Sequence, residues 1–283
     1  MANNIELMKQ YVTYLDAAYK KASLTSVLDS SNVVQQGANA NEILVPKMDM
    51  SGLADYSKTA GYTDGTVTLE YETLKCDYDR GRRFLVDALD NQESANIAFG
   101  QLAGEFIRTK VTPELDAWRF SKYAGVSGIG TATNTFADGK AALKGLRAGR
   151  DTIANAEADL STCYLFINPA LHGAIDDLDT ISSRAAMQGF AGIIDVPATR
   201  FYSKVTLGTD GFTGSAPINF LIVDKQAVQQ YQKHVVPKVF TSEQNQTADA
   251  YIYTYRTVGL VSVFDNKKAG VYIDLQGTSS TGN

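Results

Sequence analysis

The sequence predicts an α+β fold in which an extended hairpin loop and a long helix precede a mixed α/β region. Two segments with strand patterns flank a polar, glycine-containing loop in the first quarter of the chain. A helical pattern then extends over residues 92–123. Beyond residue 130, short helix and strand patterns alternate, and the chain ends in strands. The length of 283 residues allows one large domain or two ordinary ones.

The first forty residues predict a helix followed by an extended arm. Apolar side chains recur every three or four positions within residues 5–22, which is typical of an amphipathic helix: Ile5, Met8, Val12, Leu15, Tyr19 and Ala22. Residues 23–41 are rich in Ser, Thr, Asn and Gly, and this composition favours turns over regular structure.

Residues 42–48 and 66–74 predict the two strands of a hairpin. Pro46 cannot donate to a strand ladder, so the first strand should lie at a sheet edge. The second strand alternates apolar and polar side chains, which should face opposite sides: Val67, Leu69 and Tyr71 against Thr68, Glu70 and Glu72. The loop between the strands contains three glycines and is long, and loops of that length are usually functional.

This hairpin segment has no evident core of its own. A two-stranded hairpin is marginally stable alone in water, yet the segment carries many apolar side chains: Ile43, Leu44, Val45, Met48, Leu53, Tyr56, Tyr62 and Tyr71. The pattern leaves two interpretations open. These side chains pack either on the chain's own body or on a neighbouring subunit.

Residues 92–123 predict a helix that is long for a globular domain. Asp90 or Asn91 can cap it, with Glu93 placed as in a capping box. An apolar stripe runs along it: Ala95, Phe99, Leu102, Phe106, Leu115 and Trp118. Pro113 follows a threonine within this pattern, which predicts a kink or a restart with Thr112 as a cap.

The rest of the chain predicts alternating helices and strands. Helices are expected at residues 137–158, 168–178 and 225–232, the second with Asn168 as its cap. Strands are expected at residues 163–167, 193–194, 200–202, 218–223, 251–255, 258–264 and 270–274. The final residues, 277–283, form a small polar tail.

Composition argues against several classes of protein. The chain carries 26 basic and 31 acidic residues, a formal charge of −5, so it lacks the basic surplus of proteins that grip DNA phosphates. Cys76 and Cys163 are far apart, which argues against a disulfide framework or a zinc site and fits reduced thiols. The start has no secretory leader pattern, and no stretch approaches the ~20 apolar residues of a membrane helix.

Motifs that carry chemistry are weak. The two histidines, His172 and His234, lack a surrounding nucleophile motif, and the former is expected to be structural. An acidic cluster at residues 176–179 lacks the ligand spacing of a calcium loop. The glycines of residues 125–130 follow a helix, not a strand, and do not fit a dinucleotide loop. A basic knot of Arg80, Arg82 and Arg83 is expected to pair with Asp77, Asp79 and Asp87, within or between subunits.

Three stretches carry a resemblance to a known family: residues 77–90, which join the hairpin to the long helix, residues 264–272 near the end, and residues 15–29 in the arm. With the order of the elements, they resemble the tailed-bacteriophage major capsid proteins with the Hong Kong 97-type fold, over nearly the whole chain. The resemblance implies a phage major capsid fold with an N-terminal arm, an extended β-hairpin loop, a long spine helix in a peripheral domain, and an α/β axial domain. The implied boundaries are arm 1–36, loop 37–79, peripheral domain 80–127 with 246–275, axial domain 128–245 and tail 276–283.

The same resemblance implies a structural protein with no catalytic residues and no cofactor or metal. Such a subunit assembles with itself into hexamers and pentamers of an icosahedral shell around double-stranded DNA, which it does not read by sequence. It would be made in the host bacterial cytoplasm and reside in the virion, with no membrane association. Because the chain starts almost at the arm, a separate scaffolding protein is expected, with a portal and decoration proteins as further partners.

The resemblance also favours the second interpretation of the hairpin, in which it lies on an adjacent subunit. Residues expected at subunit contacts are Leu53, Tyr56 and Tyr62 in the loop, and then Arg82, Arg83 and Trp118. Some family members form a Lys–Asn cross-link, for which Lys58 and Asn266 are weak candidates. Two alternatives are kept: an encapsulin-like compartment shell protein, and a soluble α/β enzyme.

Overall fold

The computed structural model describes residues 23–29, 42–59, 61–93 and 101–277. They form a mixed helix and sheet fold with three sheets. The predicted helix at residues 5–22 lies outside the described residues, as do most of the arm and of the tail.

The described elements have the following bounds. The strands are β1 (Glu42–Met50), β2 (Val67–Lys75), β3 (Tyr78–Asp87), β4 (Gly130–Asn134), β5 (Cys163–Ile167), β6 (Gly192–Asp195), β7 (Tyr202–Gly208), β8 (Gly211–Asp224), β9 (Val228–Phe240), β10 (Ala250–Val263) and β11 (Val271–Gln276). The helices are α1 (Ala88–Glu93), α2 (Leu102–Phe106), α3 (Thr112–Ala124), α4 (Gly139–Asn155), α5 (Pro169–Asp176) and α6 (Ile181–Met187).

Strands β1 and β2 form the predicted hairpin as a two-stranded antiparallel sheet. Pro46 lies opposite Tyr71, and its strand has a free edge, which tolerates the missing N–H donor. Strand β1 extends two residues beyond its predicted end, and β2 has its predicted length but begins and ends one residue later.

The second sheet has the order β3–β10–β9 and is antiparallel. The predicted helix at residues 225–232 is wrong, because a turn leads there into β9. Val228, Gln229 and Gln230 are buried at the start of this strand, so tertiary packing overrides their local preference. The two strands expected at residues 251–255 and 258–264 form the single long strand β10.

One helical run extends from α2 through a π-helical turn, Ile107–Val111, into α3. The predicted restart at Thr112 is wrong, because both Val111 and Thr112 have helical backbone angles. Instead of a restart, the helix has the π turn just before Pro113, which has no N–H to donate. The Thr112 hydroxyl donates to the Ile107 carbonyl of this turn at 3.0 Å.

The third sheet contains six strands in the order β4–β11–β8–β5–β6, with β7 paired to β8. The pairs β4–β11 and β5–β6 are parallel, whereas β8 pairs antiparallel with its neighbours. Helix α4 packs on the sheet through a buried cluster that includes Leu146, Ile153 and Phe220. Helix α3 contributes Phe120 and Tyr123 to a separate buried cluster with strands of the same sheet. The sheet therefore carries most of the buried core.

Helix starts in this region follow the sequence closely. The Asp138 side chain accepts from the Ala141 N–H at 2.8 Å and begins α4, two residues after the predicted start. The Asn168 side chain caps α5 as predicted, accepting from the Ala170 N–H at 3.0 Å. Gly139 is required at its position, because a Cβ there would lie 1.9 Å from the Ala174 carbonyl oxygen of α5.

Candidate assembly surface

The β1–β2 hairpin carries an apolar face that is open to solvent. Cross-strand partners lie on the same side of a hairpin, and the register places five apolar residues together. All five are more than half exposed: Met48 52%, Met50 62%, Val67 69%, Leu69 53% and Tyr71 61%. We call these five residues the apolar hairpin face.

The opposite face of the hairpin is polar. Lys47 lies opposite Glu70, and Asp49 opposite Thr68. One face is thus suited to water and the other is not. Contiguous exposed apolar surface on a soluble domain typically marks an interaction site.

The loop beyond the hairpin adds further exposed apolar side chains. Leu53 is fully exposed, Tyr62 is 90% exposed, and Tyr56 is 60% exposed. The rings of Tyr56 and Tyr62 meet edge to face with 4.9 Å between their centroids. The Ser51 N–H donates to the Thr66 carbonyl at 2.9 Å and closes the loop. The three loop residues expected from the sequence thus lie at the solvent-exposed tip.

Among the residues that the structure describes, the hairpin packs on the body mainly at its base. Leu74 is buried against Leu260 of β10, with Val45, Cys76 and Tyr231 packed around them. Two polar contacts accompany this cluster. The Lys47 Nζ lies 3.5 Å from Asp265 Oδ2, and the Asn266 amide donates to the Met48 carbonyl at 3.4 Å. The described body therefore covers the base but leaves the apolar hairpin face and the tip uncovered.

The arginines of β3 hold a turn of their own chain. Arg80 donates to Glu114 at 2.8 Å and to the Gly208 carbonyl at 2.7 Å. Arg82 donates to the Thr209 carbonyl at 2.7 Å and to Asp210 Oδ1 at 2.9 Å. Both guanidinium groups thus bind backbone carbonyls of the β7–β8 turn. Arg83, by contrast, is exposed on the other face of β3.

The carboxylates expected beside this basic knot pair elsewhere. Asp79 accepts from Arg256 of β10 at 2.6 Å, and Asp77 pairs with Lys122 of α3. Side chains alternate along β3, so Arg80 and Arg82 point to the face opposite Asp79 and do not pair with it within this chain.

Trp118 lies inside the body rather than at its surface. It is 4% exposed and packs with Leu115 and Tyr78, whose ring lies 4.6 Å away between centroids. A side chain so buried offers almost no surface to another molecule.

A cleft of about 780 Å³ lies between β3, the α2–π–α3 helical run and the β7–β8 turn. Its charged groups engage one another, as Arg80 does with Glu114 and Arg82 with Asp210. Burial, together with the neighbouring Glu114 carboxylate, raises the pKa of Tyr78, whose hydroxyl donates to Glu114 at 3.2 Å. The charged groups that line the cleft thus connect β3 to α3 and to the β7–β8 turn.

His172 links α5 to β6. Its Nδ1 lies 2.7 Å from Asp195 Oδ1, and its Nε2 lies 3.5 Å from Asp176 Oδ2. Each ring nitrogen thus has a carboxylate neighbour. No group of three or more His, Cys, Asp or Glu side chains in the described ranges is placed to hold a metal ion.

The two cysteines are free thiols. Burial raises the pKa of Cys163 to about 12, so this thiol stays protonated at neutral pH. Among the described helices, none is both long and apolar enough to cross a membrane.

Sequence reasoning did not single out the apolar hairpin face as a set. The alternation of β2 predicted that Val67, Leu69 and Tyr71 share a face, but the positions of Met48 and Met50 opposite them depend on the strand register. Alternation in β1 also places Met48 and Met50 on one face, but Pro46 on the same face interrupts that apolar pattern in the sequence.

Comparison with known proteins gives a result for structure only. No protein-family model matches the sequence, and no curated protein matches it. Solved structures do resemble the chain over almost its whole length, at low sequence identity.

The capsid structure of the cyanophage P-SCSP1u has a TM-score of 0.67 at 12% identity, covering 96% of this chain and 93% of that one. The asymmetric unit of the bacteriophage PhiM1 mature capsid has a TM-score of 0.63 at 12% identity, covering 96% and 92%. A structure from Gordonia phage Cozz has a TM-score of 0.64 at 14% identity, covering 96% and 92%. The chain therefore has the fold of phage capsid proteins.

Proposed function

We propose that this protein is the major capsid protein of a tailed bacteriophage, of the Hong Kong 97 type, and that it works by assembling with copies of itself into an icosahedral head shell. The apolar hairpin face is the observation that carries this proposal. It is built on a regular hairpin, it is uncovered by the described body, and the fold around it is that of phage capsid proteins.

The hairpin and its tip are the elements that we propose to lie on an adjacent copy. Fully burying an aliphatic or Met side chain contributes about 1.5–3 kcal/mol. Covering five apolar side chains that are each more than half exposed therefore contributes on the order of 5 kcal/mol per hairpin. That gain is modest for one contact, because association has its own entropic cost.

In a closed ring of subunits, contacts that are individually modest are sufficient for stable assembly. In hexamers and pentamers each subunit gives its hairpin to one neighbour and receives another, so all contacts close together. Leu53, Tyr56 and Tyr62 are contact residues in this proposal, and exposed Arg83 is a further candidate. Arg82 serves mainly to hold the β7–β8 turn, and buried Trp118 supports the body.

The domain division expected from the resemblance stays a proposal, with two strands reassigned by their pairing. Strand β9 pairs with β10 and so joins the peripheral domain around the long spine helix. Strand β11 pairs with β4 and β8 and so joins the axial domain. The boundaries implied by the resemblance are otherwise kept: arm 1–36, loop 37–79, peripheral domain 80–127 with 246–275, axial domain 128–245 and tail 276–283. Only β9 and β11 are moved between the two domains in this proposal.

We further propose that the shell encloses double-stranded DNA without sequence-specific contacts, and that the subunit has no enzymatic role. The net charge of −5 fits a wall that does not hold phosphates tightly. A separate scaffolding protein, a portal and decoration proteins are the proposed partners, with assembly in the host cytoplasm and residence in the virion. A cross-link between Lys58 and Asn266 is a separate proposal, and a single monomer band from boiled particles would contradict it.

The proposal is tested by changing the apolar hairpin face without touching the body. Leu69→Ser with Tyr71→Ser should leave a folded subunit that no longer forms closed shells, seen by electron microscopy and sedimentation. The matched control, Thr68→Ala with Glu70→Gln, changes the opposite face of the same strand and should assemble normally. Normal shells from the apolar-face variant would contradict the proposal. The content of purified particles, DNA or an enclosed enzyme, separates a virion from an encapsulin-like compartment.

A further inference from the structure

A short segment of the arm, Ser23 to Asp29, is bound to the body through one buried carboxylate. Asp116 of α3 is fully buried and accepts from the Ser23 hydroxyl at 2.8 Å and from the Thr25 hydroxyl at 2.7 Å. It also accepts from the backbone N–H of Leu24 at 3.0 Å and of Thr25 at 3.4 Å. A single side chain thus recognises both the backbone and the hydroxyl groups of the segment.

Two further buried side chains, Arg119 and Gln230, bind the segment at Thr25 and at its end, Asp29. Arg119 donates to the Thr25 hydroxyl at 2.9 Å and lies 3.3 Å from Asp29 Oδ1. Gln230 of β9 donates to the Thr25 carbonyl at 2.8 Å and to Asp29 Oδ1 at 2.6 Å. The segment between these contacts forms a 3-10 turn, Thr25–Leu28.

An apolar pocket completes the contact. Leu28 is 1% exposed and belongs to the main buried cluster, with Phe120, Tyr123 and Val228 among its members. Leu24 and Val27 pack partly against the same cluster. The segment therefore inserts one anchor side chain and two flanking ones.

The receiving groups are held in place by the body itself. Arg200 donates to Asp116 Oδ2 at 3.0 Å, and the Tyr123 hydroxyl donates to Gln230 Oε1 at 2.9 Å. Residues outside the segment therefore help to orient two of the side chains that bind it, Asp116 and Gln230. This is the arrangement of a binding site, in which a rigid surrounding structure orients the groups that contact the ligand.

We propose that Asp116, Arg119, Gln230 and the Leu28 pocket form a peptide-binding site, which the chain's own residues 23–29 fill. Its ligand class is a short peptide with two hydroxyl side chains spaced as in Ser-Leu-Thr, followed by a leucine and a carboxylate. Binding rests on these contacts and does not require the covalent link to the hairpin. All of these contacts lie within one chain and do not depend on shell formation.

The experiment cuts the folded full-length chain. A site for a sequence-specific protease is introduced within residues 30–41, and the purified protein is cleaved after folding. The N-terminal fragment should stay bound and co-elute with the body in size-exclusion chromatography. A fluorescent synthetic peptide of residues 22–30 should then displace it, measured by anisotropy, which separates this site from any contact of residues 1–22.

Two changes test the chemistry of recognition. A peptide with Ser23→Ala and Thr25→Val keeps the apolar side chains but loses the hydroxyl donors to Asp116, and it should bind about tenfold to a hundredfold more weakly. The body variant Asp116→Asn should weaken the natural peptide similarly and discriminate less between the two peptides. Loss of the fragment on cleavage together with no binding of the natural peptide, or equal affinity for both peptides, would overturn the inference.

Discussion

At the scale of single residues, Asp274 of β11 shows how this fold accommodates a buried carboxyl group. The side chain is fully buried and accepts from Asn219 at 2.7 Å and from Asn134 at 2.6 Å. Burial raises the pKa of Asp274 above its ordinary value of 3.8, and the two amide hydrogen bonds only partly oppose that shift. The carboxyl therefore favours the folded state most when it is protonated.

The pH dependence of Asp274 has a definite sign. Because its folded-state pKa is raised, its contribution to stability is complete below 3.8 and is lost as the pH rises through the folded-state value. Asp274→Asn does not titrate. The free energy of unfolding of the natural chain relative to this variant should therefore fall as the pH rises, followed by urea unfolding at a series of pH values. A difference that stays constant over that range would contradict the shift.

Trp118 is expected to matter for stability rather than for assembly. It fills the space between α3 and β3, where its ring meets Tyr78. Trp118→Ala should lower the free energy of unfolding by about 3–5 kcal/mol, as for other large buried aromatic residues. Denaturant unfolding measures the loss, and Trp118→Phe, which keeps a ring in the site, should lose clearly less. A cost well under about 1 kcal/mol would show that the site is not packed as described.

At the scale of elements, local patterns predicted some features well and others badly. The hairpin strands and the cap at Asn168 depend on neighbours in sequence, and the structure has both. The helix predicted at residues 225–232 is instead a turn followed by the start of β9, where burial and pairing with β10 decide the conformation. The partners of Arg80 and Arg82 were unpredictable for the same reason, since the β7–β8 turn lies more than a hundred residues away.

The loop should be separable from the hairpin strands. Deleting residues 52–64 removes the exposed tip but leaves the base cluster around Leu74 and Leu260 intact. The deletion variant should keep the thermal stability of the natural body, because the removed residues are almost wholly exposed, yet fail to form closed shells. Calorimetry and electron microscopy measure the two outcomes. Closed shells from this variant would show that the tip is dispensable.

At the scale of the whole molecule, the chain combines a net charge of −5 with an exposed apolar face. Copies that approach one another repel through their charge, and salt screens that repulsion within about 10 Å at 0.1 M. An apolar contact is not weakened by such screening. The balance between these two forces decides the concentration at which subunits associate.

Salt should therefore promote assembly. Raising the salt concentration from about 0.05 M to about 0.5 M should lower the subunit concentration at which shells appear, as followed by light scattering. Particles that come apart over the same range would instead show that ion pairs between copies dominate, which would shift the main contact from the apolar hairpin face to charged residues such as Arg83.

The sequence carried the outline of the whole molecule better than its interface. The mixture of helices and strands followed from periodicity, a property of the chain alone. The residues alone left open whether the apolar side chains of the first quarter pack on the chain's own body or on a neighbouring copy. Which residues of that quarter stay uncovered depended on the register between β1 and β2 and on the contact of Leu74 with Leu260. The sequence could not tell which of Arg82 and Arg83 is the better candidate for a subunit contact. A guanidinium can bind a backbone carbonyl of its own chain as well as a carboxylate of a neighbouring copy.

The wide turn at Ile107–Val111 has a consequence for how this helix tolerates changes in length. A π turn holds one residue more than an α turn, so the wider spacing leaves room for the ring of Pro113 in the middle of the run. Removing Lys110 alone would return the winding to normal and drive that ring against a carbonyl. Removing Lys110 together with Pro113→Ala should restore an ordinary helix of nearly full stability. The deletion should therefore be harmful alone but tolerated when Pro113 is replaced.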